Sequence, residues 1–543
     1  MSEDAGVPTP EHVHGEATMA ASQEDYPLLT HYTVLIYPFL HNITSVDRRR
    51  RIQRLEESWS PWWARLEGNI HKALDDTYFF LPYIREVIYP ETALLKDSSP
   101  GNQYANWVAQ VRQWNAKGLS YFCSQLQQQE AVLRITYRNN LLADIRDVEI
   151  VPPSFDSEPA QEKMPPARVE WIDAVMFPSG IGFLMLKVVL NEATPKLSHL
   201  VDLNYYLRII HPPFTDWTLT ELRLGRLAYT LKMRDLMDFL TQGITNDGPV
   251  IPDVTQFMES LRQSNTLRYS ESEAGQVYGE RCHFFSYACV DVKDAAKVNN
   301  SAGALSVQDR LLFEFASNIQ IGHSQTNPMW VPSPEKVSEL KEHNRISVWN
   351  AWRGMALKES VVFMGTEDIG FNRSALPHNV ENDYLPLYLY SLHQKYQLFV
   401  FADELMRKGA YVAQHLHEVR NLMDRFMDFR NKHWFNEVTR KPLGGELYRK
   451  FQHGLESTLL YEMVSSQVKD LKEYYEERQQ RRIGVLLNLF TFVFLPLSAV
   501  IGVFGMTFFE GNWPLFIIAF VIVGMISLGL WRWWMEELGA RDK

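Results

Sequence analysis

The strongest hydrophobic pattern in the chain is a pair of uncharged segments close to the C-terminus. Residues 483–506 carry no charged side chain over 24 positions, and residues 515–530 carry none over 16 positions. A helix of about 20 apolar residues crosses a hydrocarbon core roughly 30 Å thick. The first segment therefore predicts a membrane-spanning helix over 483–506. Tryptophans on both sides of the second segment act as interfacial anchors, which extends the second predicted span to 515–534.

The two predicted spans are joined by the short segment 507–514, so they form an antiparallel hairpin with both chain ends on one side. Basic residues precede the first span and follow the second, whereas the loop carries Glu510 and no Lys or Arg. Because Lys and Arg are enriched on the cytosolic side of membranes, we expect both termini in the cytosol. The protein would then be a multi-pass protein of the plasma membrane, or of the inner membrane in a bacterium. The basic residues are Arg478, Arg481, Arg482, Arg532, Arg541 and Lys543.

Long helical patterns occupy the region before the first span. We predict a helical hairpin over 376–445, with helices at Tyr384–Lys408 and Ala410–Phe435, and a stalk helix over 446–482. The stalk merges with the first span, and a continuous helix from Glu446 to Phe504 would be about 90 Å long at 1.5 Å per residue. A helix of this length needs partners along its sides, which predicts an oligomeric bundle.

Residues 28–375 show alternating strand-like and helical patterns, which predicts a cytosolic α/β domain. Pro178-Ser179-Gly180 separates two of the strand-like runs and predicts a tight hairpin. Helical patterns cover Lys196–Ile210 and Trp217–Gln242. The strand-like runs are His31–Leu40, Ala131–Tyr137, Val169–Met176, Gly182–Leu190, Phe284–Val292, Leu311–Ala316 and Ser360–Met364.

The N-terminal residues 1–27 are rich in Ala, Ser, Glu and Pro and predict a disordered leader. The first 47 residues contain no Lys or Arg, so the basic region of a secretory signal is missing. The three cysteines match no zinc or redox spacing, which favours reduced, buried thiols in a cytosolic domain.

The formal net charge of −11 disfavours a nucleic-acid polymer as a partner. The run Arg48–Arg51 is a local exception that would suit phosphate groups, although such a run is more often the solvated start of a helix. The order of residues contains no hydrolase triad, HExxH or Walker loop, so an anchored hydrolase ranks last among the functions considered, and no enzyme activity is predicted.

The first predicted span carries a stripe of small, hydroxylic and medium-sized residues at steps of 3, 4, 4, 3 and 4 positions, the spacing of one helix face. Small residues on such a face pack helices tightly in membranes, and they equally suit the lining of a pore. Asn488 lies close to the stripe. Two spans cannot enclose a pore alone, so a pore requires a ring of subunits. The candidate pore-lining residues are Gly484, Leu487, Thr491, Leu495, Ser498 and Gly502.

The run Leu487-Asn488, Phe494-Leu495-Pro496-Leu497 and Gly505-Met506-Thr507 resembles the pore helix of the CorA magnesium-channel superfamily. The order of a cytosolic α/β domain, long helices and a C-terminal hairpin resembles that family as well. The resemblance implies a homopentameric funnel with the first span around a central pore.

In this family the pore helix ends in Gly-Met-Asn, and Thr507 replaces the Asn here. The resemblance implies that Gly505, Met506 and Thr507 form the outer mouth that holds a hydrated cation. Thr keeps a hydroxyl but lacks the carboxamide, which is expected to alter selectivity because Mg²⁺ gives up its water reluctantly. Glu510 in the outer loop would concentrate cations, or would be an ordinary solvated residue. At the inner end, Arg481 and Arg482 would either repel cations or anchor the helix at lipid headgroups.

Two functions follow from these observations. The first is a channel or transporter of divalent cations such as Mg²⁺, gated by the cytosolic domain, with no resident cofactor beyond a transported or regulatory cation. The second is a membrane effector of a defence system, gated by a nucleotide messenger. The expected partners are the lipid bilayer, further copies of the chain and divalent cations, with a small nucleotide ligand in the second case.

Overall fold

The structure is a computed structural model, and most of the chain is described. The described residues are 26–41, 48–95, 103–126, 131–152, 164–210, 220–224, 230–245, 250–263, 281–292, 306–327, 329–409, 416–495, 498, 502, 514, 517–518, 520–526, 529 and 532. The predicted leader lies outside them, apart from its last two residues.

The chain divides into two compact units. The larger unit comprises residues 1–400 and 431–460, and the smaller unit comprises residues 401–430 and 461–543. An α/β region followed by helices agrees with the predicted fold class. The domain boundaries proposed from the sequence stay predictions.

The larger unit is built on one sheet of 12 strands among the described residues. Its main path runs β10-β11-β12-β9-β1-β6-β5-β4-β7-β8, and β3 joins β5 beside β4 and carries β2. All these pairs are antiparallel except β12 with β9. The strands are β1 (Thr30–Leu40), β2 (Trp59–Pro61), β3 (Leu133–Tyr137), β4 (Asp147–Val151), β5 (Ala167–Met176), β6 (Ile181–Leu190), β7 (Glu221–Leu224), β8 (Thr230–Lys232), β9 (His283–Cys289), β10 (Arg345–Trp349), β11 (Trp352–Ala356) and β12 (Ser360–Gly365).

The helices of the described chain include short 3₁₀ and π segments as well as α-helices. The α-helices are α1 (Arg48–Leu55), α2 (Ile70–Thr77), α3 (Pro82–Ile88), α4 (Gln103–Lys117), α5 (Leu119–Gln125), α6 (Asn139–Ile145), α7 (Leu197–Leu207), α8 (Met233–Thr241), α9 (Val254–Gln263), α10 (Val307–Ser317), α11 (His323–Thr326), α12 (Pro334–Glu339), α13 (Leu376–Asn379), α14 (Leu385–Gly409), α15 (Leu416–His433), α16 (Pro442–Gly454) and α17 (Ser457–Leu489). The 3₁₀ segments are Trp62–Asn69 and Pro90–Leu95, and the π segments are Leu340–Asn344, Phe371–Ala375, Val380–Tyr384 and Phe490–Phe494.

Helices cover both faces of the sheet. On one face, Phe285 of β9 packs against Tyr388 of α14, with ring centroids 5.6 Å apart. On the other face, Thr33 of β1 hydrogen-bonds Asn204 of α7 at 2.6 Å. The central strands are buried on both faces, which explains why they are continuous apolar runs in the sequence.

The predicted hairpin at residues 178–180 is confirmed. Phe177 donates its backbone N–H to the carbonyl of Ile181 at 2.8 Å, and Gly180 has a φ of +88°. This left-handed conformation is one that glycine adopts without a steric penalty. The hairpin fixes the register of β5 against β6, so that Met176 pairs with Gly182.

Two of the predicted elements are wrong. Leu311–Ala316 is part of the helix α10, because Ser306 caps its start by accepting the N–H of Asp309 at 3.1 Å, and Asn318 ends it in a left-handed conformation. Its run of apolar residues reflects burial against β11 and β12. Within Trp217–Gln242, the described residues form β7 and β8 before the helix α8 begins.

The predicted uninterrupted stalk from Glu446 is also wrong. The helix α16 ends at Gly454, and α17 starts at Ser457 after a turn in which Glu456 has a φ of +58°. A Cβ atom on Gly454 would lie 2.6 Å from the carbonyl oxygen of Ala356, so this glycine allows the helix end to approach β11. The helix α17 has 33 residues and is about 50 Å long at 1.5 Å per residue.

Candidate functional site

The predicted pore-lining stripe begins in the last turns of α17 and continues through the π turn Phe490–Phe494. Gly484, Leu487 and Asn488 are part of α17, and Thr491 is part of the π turn. Leu495, Ser498 and Gly502 are helical positions of the described chain, with residues between them that lie outside it.

The two hydroxyl groups of the stripe are bonded to their own helix. Thr491 Oγ1 donates to the carbonyl of Leu487 at 2.9 Å, and Ser498 Oγ donates to the carbonyl of Phe494 at 2.7 Å. These bonds to the fourth preceding residue use each hydroxyl proton and leave the oxygen lone pairs free to accept. The groups therefore act as acceptors toward anything next to this face.

The exposed fractions of the side chains in a single chain are similar on the face predicted to line a pore and on the face that would contact lipid. Leu487 and Leu495 of the stripe are 61% and 64% exposed, and Phe490 and Phe494 off the stripe are 59% and 51% exposed. A π turn also holds one more residue than an α turn, which rotates the positions after it by about 100°. The pore-lining assignment stays a prediction.

The outer-mouth signature Gly505-Met506-Thr507 and the loop residue Glu510 lie outside the described residues, as do nine of the 20 residues of the second predicted span. Within the part of the chain that the structure describes, no helix combines the length and the apolarity needed to cross a membrane. The same part holds no group of three or more His, Cys, Asp or Glu side chains arranged to bind a metal. The metal-binding role of the signature therefore stays a prediction.

The basic end of the predicted span is partly balanced by acidic residues on the same helix. Arg481 pairs with Glu477 at 2.8 Å, one turn away, and both side chains are exposed. Lys469 and Glu473 form a similar pair earlier in α17. Such pairs between exposed groups are typical of a solvated helix face and each contributes a few tenths of a kcal/mol.

The run Arg48–Arg51 starts the helix α1, as predicted. Arg49 and Arg50 are exposed, whereas Arg51 is buried. The four residues therefore do not present one continuous basic surface.

Three of the π turns end immediately before a Leu-Pro pair. Proline lacks the N–H that an α-helix would donate to the carbonyl four residues earlier, and its ring crowds that carbonyl. In the second of these turns, the N–H of Leu385 bonds the carbonyl of Val380, five residues back. The turns are Phe371–Ala375 before Leu376-Pro377, Val380–Tyr384 before Leu385-Pro386, and Phe490–Phe494 before Leu495-Pro496.

A second site lies in the larger unit, where the π turn Val380–Tyr384 meets charged residues of the sheet. Glu381 accepts from Lys187 Nζ at 2.7 Å, from Trp171 Nε1 at 3.0 Å and from Arg65 Nη1 at 3.3 Å. Burial raises the pKa of Glu381, but the positive charges of Lys187 and Arg65 outweigh it and hold that pKa below its usual value. Arg65 also pairs with Asp173 at 3.0 Å.

These groups line a cleft whose empty volume, open mouth included, is about 420 Å³. Trp62, Tyr89 and Trp171 form much of its apolar wall, and Arg134 and Asp76 add charge. The sequence patterns do not predict this site. The signal was present as charged residues inside apolar strands, namely Arg134 of β3, Asp173 of β5 and Lys187 of β6.

Residues 399–537 match the family model described as CorA-like Mg2+ transporter protein. The matched region is 139 of the 543 residues and includes both predicted spans and the Gly505-Met506-Thr507 signature. No curated protein matches the chain.

Proposed function

Since the C-terminal region of this chain, residues 399–537, belongs to the CorA-like superfamily, we propose that the protein is a membrane transporter of divalent metal cations. In this proposal five copies place residues 483–506 around a pore, and both termini are cytosolic. The observation that carries it is the position of the family match, which covers both uncharged segments and the signature at the end of the first one.

The hydroxyl geometry of the first span supports a pathway for hydrated cations. Water molecules bound to a divalent cation donate hydrogen bonds, and they need acceptors along a pore. Thr491 and Ser498 have their protons committed to backbone carbonyls, so their oxygens accept. Mg²⁺ keeps several of its waters in most sites, which suits such outer-sphere contacts.

Gating by the larger unit is part of the proposal. The helix α14 starts beside Glu381 and continues to Gly409, inside the region that matches the family model. A change at the π turn Val380–Tyr384 would therefore act on the first residues of the transporter region through one continuous helix. The nucleotide-gated effector ranks second, because Arg51, the last residue of the basic run that would serve phosphates, is buried.

The test is flux in proteoliposomes that contain the full chain. Uptake of Mg²⁺, Co²⁺, Ni²⁺ and Zn²⁺ is measured with an ion-sensitive dye, and native mass spectrometry gives the number of copies. We expect uptake of at least one of these ions by a pentamer. No uptake of any of them under an imposed gradient would overturn the proposal.

A pair of tryptophan variants tests the pore assignment. Thr491→Trp would place five indole rings in the lumen and is expected to abolish uptake. Val521→Trp places the same side chain in the second predicted span and is expected to retain it. Equal uptake by the two variants would show that Thr491 does not line the pathway.

A further inference from the structure

Arg134 is a buried cation with one unpartnered donor atom. Arg134 is the second residue of β3 and is 8% exposed. Within the described part of the chain, no Asp or Glu forms an ion pair with it, and its Nη1 atom is buried without a hydrogen-bond partner. A buried charged donor that makes no hydrogen bond is costly, so an acceptor at this position would be strongly favoured.

The guanidinium group of Arg134 is held in place by two aromatic rings. Its Cζ atom lies 4.1 Å from the centre of the Trp62 ring and 4.7 Å from that of Tyr89. Stacking on both rings fixes the plane of the group, so its N–H donors are directed along the edge of that plane. This is the arrangement of a preorganised binding group.

The other arginine of the cleft provides an internal comparison. Arg65 stacks on Trp171 with Cζ 4.4 Å from the ring centre, and it pairs with both Asp173 and Glu381. Arg65 therefore forms ion pairs within the chain, whereas Arg134 is attracted by the charges of Glu91 and Asp173 and bonds Tyr89 but keeps Nη1 without a hydrogen-bond partner. The two arginines line the same cleft.

The carboxylates of the cleft limit the charge of a ligand. Asp76, Asp173 and Glu381 all line it, and together they would repel a group with two or more negative charges. A single negative charge beside Arg134 gains one strong attraction and faces less repulsion. Apolar wall residues such as Leu385 and Leu389 also disfavour a strongly hydrated anion.

We propose that this cleft binds a small, singly charged anion, either a halide or the carboxylate of a small molecule, with Arg134 as the residue that donates to it. The π turn Val380–Tyr384 forms one wall, so the bound anion would stabilise the turn from which α14 starts. This proposal does not depend on ion transport, and its test uses binding alone.

The experiment measures the melting temperature of the full chain in detergent against anion concentration. Sodium gluconate serves as the baseline salt, because gluconate is large and strongly hydrated. Chloride, bromide and formate are expected to raise the melting temperature in a saturable way, and sulfate is not. A rise with chloride and bromide alone identifies a halide site, and a rise with formate alone identifies a carboxylate site.

Two variants assign the effect to Arg134. Arg134→Lys keeps the charge but loses the planar fork, and it is expected to weaken binding at least tenfold. Arg168→Gln removes an exposed charge from β5 and is expected to leave the affinity unchanged. Saturable binding that is equal in Arg134→Lys and the unaltered protein would overturn the assignment.

A crystal structure of the full chain in bromide gives a readout independent of stability. We expect an anomalous peak within hydrogen-bonding distance of Arg134 Nη1 for a halide site, and formate density there for a carboxylate site. A water molecule in that position under both salts, together with no saturable rise in melting temperature, would overturn the proposal.

Discussion

Lys187 Nζ lies 2.7 Å from Glu381 Oε2, and this ion pair joins the centre of the sheet to the π turn that precedes α14. The two side chains are only 12% and 15% exposed. Trp171 and Arg65 donate to the same carboxylate, so its charge is well compensated despite its burial. The contact fixes where α14 begins relative to β6.

Replacing Glu381 by Gln should destabilise the larger unit. The change leaves Lys187 and Arg65 partly buried with one fewer counter-charge, which costs about 3 kcal/mol when one member of a buried pair is removed. Urea unfolding followed by circular dichroism measures the change. The matched control is Glu339→Gln, which breaks an exposed pair with Lys336 and should cost less than about 1 kcal/mol. Equal effects of the two variants would contradict this account.

The π turn before Pro386 should be held by Glu381 as well as by the proline. Pro386→Ala introduces a backbone N–H that can donate to the carbonyl of Asn382 in an α-helical hydrogen bond, which contributes about 1 kcal/mol. The contacts of Glu381, which hold the π turn, contribute more than this bond. The single variant should therefore change stability by less than about 1 kcal/mol. When Glu381 is replaced by Gln, these contacts no longer hold the π turn, and the turn can become α-helical. In this background Pro386→Ala should therefore stabilise the folded protein by about 1–3 kcal/mol. Strict additivity in the double-mutant cycle would show that the two residues do not act together.

Asp383 should make stability fall as the pH rises. Burial raises the pKa of Asp383 from 3.8 to about 6, with the charge of Lys441 acting in the opposite direction. The folded state therefore holds this proton more tightly than the unfolded chain does. The contribution of protonated Asp383 to the free energy of unfolding is fully present below about pH 4. It is lost as the pH rises through about 6, and the loss is at most about 3 kcal/mol.

The Asp383→Asn variant isolates that effect. Its stability relative to the unaltered protein should rise between pH 4 and pH 7, measured by thermal melts across this range. Asp75→Asn removes an exposed carboxyl of α2 and should show no such rise. A flat difference for Asp383→Asn would mean that this carboxyl ionises as readily in the folded chain as in the unfolded one.

Two glycines of α16 should respond in opposite directions to replacement by alanine. A Cβ on Gly454 meets the backbone carbonyl of Ala356 at 2.6 Å, so Gly454→Ala should destabilise by about 1–3 kcal/mol. Gly445 has no atom within 4 Å of its Cβ position, so Gly445→Ala should stabilise the helix by about 0.5–1 kcal/mol. Unfolding by denaturant measures the free energy of unfolding of both variants. If Gly454→Ala stabilised the protein, the helix end could not lie as close to β11 as described.

Thr507→Asn should change which ion the protein prefers. The carboxamide reaches farther than the hydroxyl and offers both a donor and acceptors, so it should favour hydrated Mg²⁺. We expect the ratio of Mg²⁺ to Co²⁺ uptake in proteoliposomes to rise about tenfold, equivalent to 1.4 kcal/mol. Glu510→Gln should lower the uptake of both ions together, because it removes only a charge near the mouth. An unchanged ratio in Thr507→Asn would place the filter elsewhere.

Sequence patterns predict the central strands well and the short strands toward the ends of the sheet poorly. The strands β1, β5, β6 and β9 are buried on both faces and appear as continuous apolar runs. The strand β7 lies within the segment Trp217–Gln242, whose pattern predicts a helix, and β10 mixes polar and apolar residues without a clear alternation. The run Leu311–Ala316 predicts a strand, although it is helical, because a short buried helix segment and a buried strand are equally apolar in sequence.

Sequence by itself determined the properties that depend on neighbours along the chain: the uncharged segments, the tight turn at Gly180, the Gly-Met-Thr signature and the match of the C-terminal region to a family model. Tertiary structure alone decided the properties that depend on distant residues. The interruption of the stalk at Gly454 comes from the approach of β11, about 100 positions earlier in the chain. The charged cleft arises because strand register places Arg134, Asp173 and Lys187 on one face of the sheet opposite Glu381. An isolated charge within an apolar strand is costly to bury, and only the assembled sheet shows that Lys187 forms ion pairs while Nη1 of Arg134 has no hydrogen-bond partner.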